Sequence, residues 1–138
     1  YMAAKVWTLQ KSQGGMQAME AQAIRRSAQI YKIFDASDGF YSNNIEPSSR
    51  SRMNLCFRIR DSLSGEAVAV ALEKRFVAES EASGLFQLFG HPVYGGLRVT
   101  IYNGQEDSAV AAVAGYLTSF YEKYCNCKDL ASLEAQLL

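Results

Sequence analysis

The sequence is poor in the residues that build metal centres and covalent frameworks. It holds a single histidine, His91, which excludes a multi-histidine metal site. Its three cysteines, Cys56, Cys125 and Cys127, are odd in number and none is spaced as C-x-x-C. That argues against a disulfide scaffold and against a zinc site, and fits a reducing, cytoplasmic setting. Fourteen Lys and Arg residues balance fourteen Asp and Glu residues, with no dense basic block. A chain of this kind lacks the electrostatic footprint of a nucleic-acid binder and the polybasic patch that holds an anionic membrane. No apolar run approaches the roughly 18 residues of a transmembrane helix. The N-terminus has no charged start leading into an apolar stretch, so it does not read as a signal peptide. Starting directly in a helix-like run, the chain reads as a fragment. P-loop, dinucleotide-binding glycine, nucleophile-elbow and H-E-x-x-H patterns are all missing.

What is present suits one folded domain. The chain has 138 residues, 49% of them hydrophobic and 20% charged, enough to bury a core in an ordinary globular protein. Met2 to Gln13 is a run of helix formers that stops at Gly14-Gly15. From Met16, the apolar residues Met16, Met19, Ala23, Ile30 and Phe34 recur at helical spacing, with Arg25, Arg26 and Lys32 off the stripe. Residues 40–51 read as an irregular connection. Then the period changes to two: Met53, Leu55, Phe57 and Ile59 alternate with mostly polar residues, which predicts a strand with one buried face and Arg52, Arg58 and Arg60 on the other.

A loop over residues 61–65 leads to a helix from about Glu66 to Ser83, with Val68, Leu72 and Phe76 stacked and Gly84 as its stop. Leu85 to Phe89 reads as a short edge strand and residues 90–96 as a turn-rich loop. A second alternating strand has Leu97, Val99 and Ile101 facing in, and Arg98, Thr100 and Tyr102 facing out. Asn103-Gly104 is a turn. The last long helix carries Val110, Val113, Leu117, Tyr121 and Tyr124 along one stripe, with Glu106 and Asp107 at its N-terminus. A short helical tail, residues 129–138, closes the chain. This order predicts an α+β two-layer sandwich, a small antiparallel or mixed sheet with helices on one face. Arg58 and Arg98 fall on the other face, which must meet solvent or another domain.

The stretch with most chemical content runs from Gly90 to Arg98. Adjacent Gly95 and Gly96 let backbone approach a ligand closely. Arg98, projecting from a strand, can grip a carboxylate or phosphate with two parallel hydrogen bonds, and His91 can donate to an anion. The same residues also suit a plain tight turn with a surface histidine. Tyr94 and Tyr102 read as packing residues with a wet hydroxyl. Arg52, Arg58 and Arg60 read as solvated or salt-bridged. No residue pattern supplies a complete catalytic apparatus, so no catalytic residue is assigned.

At these residues the chain resembles a known family. Gly90-His91 followed by Gly95-Gly96-Leu97-Arg98-Val99-Thr100-Ile101-Tyr102-Asn103 is similar to the G-H-x-x-x-G-G-[hydrophobic]-R-[AV]-[ST]-[hydrophobic]-Y-N signature of phosphoserine aminotransferases. Arg50-Ser51-Arg52-Met53-Asn54 resembles that family's R-S-[RK]-M-N strand, and Leu72 to Phe76 the helix between the two. Gly14-Gly15 followed by Met19-Glu20 resembles the start of the preceding long helix. The likeness runs from about Val6 to Tyr124.

The resemblance implies the small domain of the type I aminotransferase fold, of the class-V kind. Residues 1–15 would be the end of a linking helix from a larger domain, residues 16–128 the small domain and residues 129–138 a tail. It implies a cytoplasmic homodimeric pyridoxal-phosphate enzyme that exchanges an amino group between glutamate and 3-phosphohydroxypyruvate, giving 2-oxoglutarate and O-phospho-L-serine for serine biosynthesis. The position of Arg98 implies a ligand for the substrate α-carboxylate, and that of His91 a ligand for the phosphate. The family usually carries Arg immediately after that histidine; here stands Pro92, with neither charge nor N–H to donate. None of the six lysines lies in the family's A-Q-K-N context, so no cofactor is expected on this chain alone and no transamination by it. A stand-alone binding or regulatory protein and an aminotransferase of altered oxoacid specificity are the other readings.

Overall fold

The structure, a computed structural model, describes residues 1–60, 65–93, 95–129, 131 and 133. Residues 61–64 of the loop expected at 61–65, Tyr94, and most of the tail expected at 129–138 lie outside the described residues. Helix α1 (Met2–Ser12) and helix α2 (Gly15–Asp35) are separated at the expected glycine pair. Strand β1 (Tyr41–Ser42) and a 3-10 turn (Pro47–Ser49) follow, then strand β2 (Asn54–Ile59) and helix α3 (Glu66–Ala82). Strands β3 (Phe89–His91) and β4 (Gly95–Thr100) form a hairpin, and helix α4 (Asp107–Tyr124) completes the layer. The strands lie in the order β1-β2-β4-β3, every described pairing antiparallel.

The period-two reading of both main strands holds because one face of each is dry. Leu55, Phe57 and Ile59 of β2 are buried, as are Leu97 and Val99 of β4, and Ile101 just beyond it. Against this face pack Ile30 and Phe34 of α2, Leu72 and Phe76 of α3, and Val110, Leu117 and Phe120 of α4, all in one core. Its centre is aromatic: Phe34 lies 4.6 Å from Phe57 between ring centroids, and Phe76 lies 5.7 Å from Phe57 and 5.0 Å from Phe120. Fully burying one such side chain stabilises the fold by roughly 1.5–3 kcal/mol. The buried Tyr41 hydroxyl donates to the Leu117 carbonyl at 2.7 Å, tying β1 to α4, and burial pushes its phenol far above the usual tyrosine range. The architecture is the expected α+β sandwich.

Four expectations are corrected. The edge strand spans Phe89–His91 rather than 85–89, because Gln87 takes a left-handed backbone (φ 65°) that interrupts the extended run. Consequently residues 90–96 are not one loop: Gly90 and His91 belong to β3, and Gly95 and Gly96 to β4. On α2 the buried stripe is Ala23, Arg26, Ser27, Ile30, Tyr31 and Phe34, while Met16 is exposed. Arg26 is buried because its Nε donates to Asp107 of α4 at 2.7 Å, which turns an apparently outward charge into an interhelix tie. Finally, Arg52, Arg58 and Arg60 do not share a strand face. Arg52 precedes β2, and Arg60 follows it with a left-handed backbone (φ 50°) that places its guanidinium over the Phe40 ring.

Candidate functional site: the open face of the sheet

The face turned away from the core carries Asn54, Cys56 and Arg58 from β2 and Arg98 and Thr100 from β4, with Asn54 opposite Thr100 and Cys56 opposite Arg98. Cys56 is exposed and Arg58 and Arg98 are half-buried. The Arg98 Nε is shielded from solvent yet makes no hydrogen bond among the described residues. A shielded donor left unpaired costs free energy, of order 1–3 kcal/mol, so a position of this kind is suited to meeting an acceptor from outside.

The hairpin that carries His91 is built on antiparallel pairing of β3 with β4. His91 pairs with Gly95. A Cβ on Gly90 would stand 2.2 Å from the Gly95 carbonyl oxygen and 2.7 Å from that of Gly96, so the two strands approach too closely for any side chain. The Val93 N–H donates to His91 Nδ1 at 3.1 Å, and in the neutral imidazole this leaves the proton on Nε2 as a donor. Pro92 and Val93 occupy the exposed turn. His91 lines a groove of about 310 Å³ together with Asn43, Cys56, Arg58, Gly95 and Gly96. Arg98 does not line that groove. It neighbours it through Cys56, its cross-strand partner.

Arg58, expected to be solvated or salt-bridged, is salt-bridged. Its Nε donates to Glu73 Oε1 at 2.6 Å, and the same oxygen accepts the Ile59 N–H at 3.2 Å. Glu73 lies on the buried stripe of α3 beside Leu72 and Phe76. An acidic residue on an apolar helical stripe was the available signal for this pair. Its partner, fifteen positions away on a strand, follows no sequence period.

The R-S-R-M-N segment proves structural. Arg50 makes a bidentate pair with Asp35 at the end of α2, both distances 2.8 Å, and its guanidinium lies 4.7 Å from the centre of the Tyr31 ring. That hydrogen-bonded pair holds the Asp35 carboxyl below the usual carboxylate range. Ser51 Oγ accepts the Met53 and Asn54 N–H groups, and Arg52 pairs with Glu20. Asn54 in turn accepts from Thr100 Oγ1 and donates to Tyr102 Oη. The segment docks α2 onto the start of β2.

The comparisons with known proteins agree with the fold. The chain is 39% identical over 120 residues to the phosphoserine aminotransferase of Pseudoalteromonas translucida, covering 87% of this chain and 31% of that protein. It superposes on the phosphoserine aminotransferase of Bacillus circulans subsp. alkalophilus with a TM-score of 0.75 and 32% identity, over 84% of this chain and 30% of the other. The chain is related by descent to the phosphoserine aminotransferases. A pyridoxal-phosphate-bound phosphoserine aminotransferase from Trichomonas vaginalis matches as well, with a TM-score of 0.76 and 29% identity over 86% of this chain and 32% of that one. No protein-family model matches the chain. The chain spans about a third of the length of the phosphoserine aminotransferases it matches.

The described residues do not by themselves fit pyridoxal phosphate. A lysine that forms an imine at neutral pH needs a desolvated amine or a neighbouring cation to lower its pKa. All six lysines here are exposed, and Lys123 donates to Glu79 at 3.0 Å. The open face carries two half-buried arginines, Arg58 and Arg98. Among the described residues no helix is long and apolar enough to cross a membrane.

Proposed function

We propose that this chain is the substrate-binding small domain of a phosphoserine aminotransferase, with Arg98 as the ligand of the substrate α-carboxylate and His91 as a ligand of its phosphate. The observation that carries the reading is the Arg98 Nε, shielded and without a hydrogen-bond partner among the described residues on the open face of the sheet. The rest of the enzyme supplies pyridoxal phosphate and the lysine that holds it. Residues 1–15 form the end of a helix linking to that larger domain, residues 16–128 the small domain and residues 129–138 its tail. The intact protein is a cytoplasmic homodimer that transfers the amino group of glutamate to 3-phosphohydroxypyruvate, releasing 2-oxoglutarate and O-phospho-L-serine. In this division of labour the chain binds and orients, and holds no group that bonds covalently to substrate.

Both amino donor and oxoacid carry an α-carboxylate, so losing Arg98 should injure both half-reactions. Hydrogen bonds to charged groups are each worth about 1.5–3 kcal/mol. In the full-length protein, Arg98→Ala should therefore lower kcat/KM at least about 100-fold for glutamate and for the phosphorylated oxoacid alike. Unchanged glutamate turnover would remove Arg98 from this role. Mixing this chain alone with pyridoxal phosphate should give no internal-aldimine absorbance band. A band abolished by borohydride would show that a lysine here does the chemistry.

A further inference from the structure

A phosphate monoester brings a charge of about −1.5 to −2 at neutral pH, more than one histidine can meet, and Pro92 contributes neither charge nor donor. The His91 groove, at about 310 Å³, has room for roughly ten water molecules' worth of ligand. One guanidinium lines it. Arg58 lies across Gly96: a Cβ there would meet the Arg58 Cδ at 2.7 Å and its Nε at 3.6 Å, so the missing side chain is the space the arginine stem occupies. Its Nε is anchored to Glu73 Oε1 at 2.6 Å. Its Nη1 and Nη2 make no hydrogen bond among the described residues.

The pair is asymmetric in a way that matters. The Arg58 side chain is 41% exposed and that of Glu73 only 11%. The carboxylate is withdrawn beneath the helix, where it also accepts the Ile59 N–H, while the more exposed Arg58 side chain lines the groove. An arginine held at Nε keeps a rigid planar face of donors, the form suited to phosphate oxygens. Gly95 and Gly96 put it beside the end of β3, where His91 pairs with Gly95.

We propose that Arg58, held by Glu73 over Gly96, is a second cationic ligand for the phosphate of the substrate and sets the preference for a phosphorylated oxoacid. This rests on the functional reading above. The test uses the full-length protein with glutamate as donor and either 3-phosphohydroxypyruvate or unphosphorylated hydroxypyruvate as acceptor. Removing one charge-assisted contact of about 1.5 kcal/mol corresponds to about tenfold. Arg58→Gln should raise KM for the phosphorylated acceptor about tenfold relative to its effect on the unphosphorylated acceptor and on glutamate, with kcat far less affected. Arg58→Lys should recover part of the preference. A purely structural brace would move all three KM values together, and that result, or an unchanged preference, overturns the proposal. If Arg58→Gln does not fold, Arg58→Lys decides: a preference reduced about threefold or more supports the role, and an undiminished preference overturns it. Wild-type protein that fails to use the phosphorylated acceptor would sink the functional reading itself. Wild-type activity with an insensitive Arg58 sinks only this inference.

Discussion

Two segments of this domain carry arginines in family-like motifs, and they use them in opposite ways. In residues 50–54 the arginines are matched within the fold: Arg50 to Asp35, Arg52 to Glu20. In the β3–β4 hairpin and the strand beside it, Arg98 makes no side-chain hydrogen bond or ion pair among the described residues, and Arg58 pairs with Glu73 through Nε alone. The first segment is a brace between a helix and a strand, and the second is the surface proposed to meet an anion. Motif similarity alone does not separate the two. Of these four arginines, Arg98 alone has no internal counter-ion among the described residues.

The largest effect that would sharpen this contrast is expected at Gly90. Alanine there drives a methyl group onto the carbonyls of Gly95 and Gly96, an overpacking of backbone rather than of a movable side chain. Such overpacking costs typically 1–3 kcal/mol, and Gly90→Ala should lie at the upper end, with a lowered urea midpoint and loss of the hairpin's slow-exchanging amides. Wild-type exchange protection in that variant would refute the close approach.

A smaller effect is expected at the brace. Arg50→Ala removes a bidentate pair whose aspartate is 57% exposed. After discounting for solvent screening it should cost about 1 kcal/mol or less and leave KM for both substrates unchanged. A substrate-specific KM change would erase the distinction between the two segments.

The smallest is a pH effect. Asp35 and Asp107 have carboxyl pKa values held down by hydrogen bonds from Arg50 and from Arg26 and Arg25. At Glu79, burial pushes upward, but Tyr124, Arg75 and Lys123 together outweigh it and the net shift is downward. A depressed carboxyl stabilises the fold at pH above its unfolded value, near 4, and that contribution is lost as pH falls through the folded value. The urea midpoint should therefore decline below about pH 4, less steeply in Arg50→Ala and with unchanged slope in Arg98→Ala. Equal slopes in wild type and Arg50→Ala would show that the brace is not electrostatic.

Periodicity made most of the fold legible. Strands β2 and β4 and helices α2, α3 and α4 each bury one stripe, and a stripe is visible in one dimension. Phe120 and Ala114 extend the α4 stripe that Val110, Val113 and Leu117 already marked. Invisible were the features decided by a distant partner. Arg26 is buried because Asp107, 81 residues later, meets it. Glu73 sits inside a helical stripe because Arg58 and the Ile59 N–H reach it. Strand β1 is two residues long, too short to show a period, and the edge strand moved because a single residue, Gln87, adopts positive φ. At the proposed site, His91 and Arg98 are singled out by motif similarity and their neighbour Arg58 is not, since pairing across a sheet follows no spacing along the chain.

Helix α1 has no buried residue, and its Trp7, the chain's one tryptophan, is 70% exposed. The intrinsic fluorescence of this protein therefore reports on a helix outside the core. Unfolding followed by tryptophan emission should begin from an already red-shifted spectrum and change little, while the tyrosine and phenylalanine cluster around Phe57 and Phe76 melts unseen. Circular dichroism is the signal that follows the domain. Trp7 emission is better kept as a probe of whatever comes to lie against α1, where a shift to the blue marks exclusion of water.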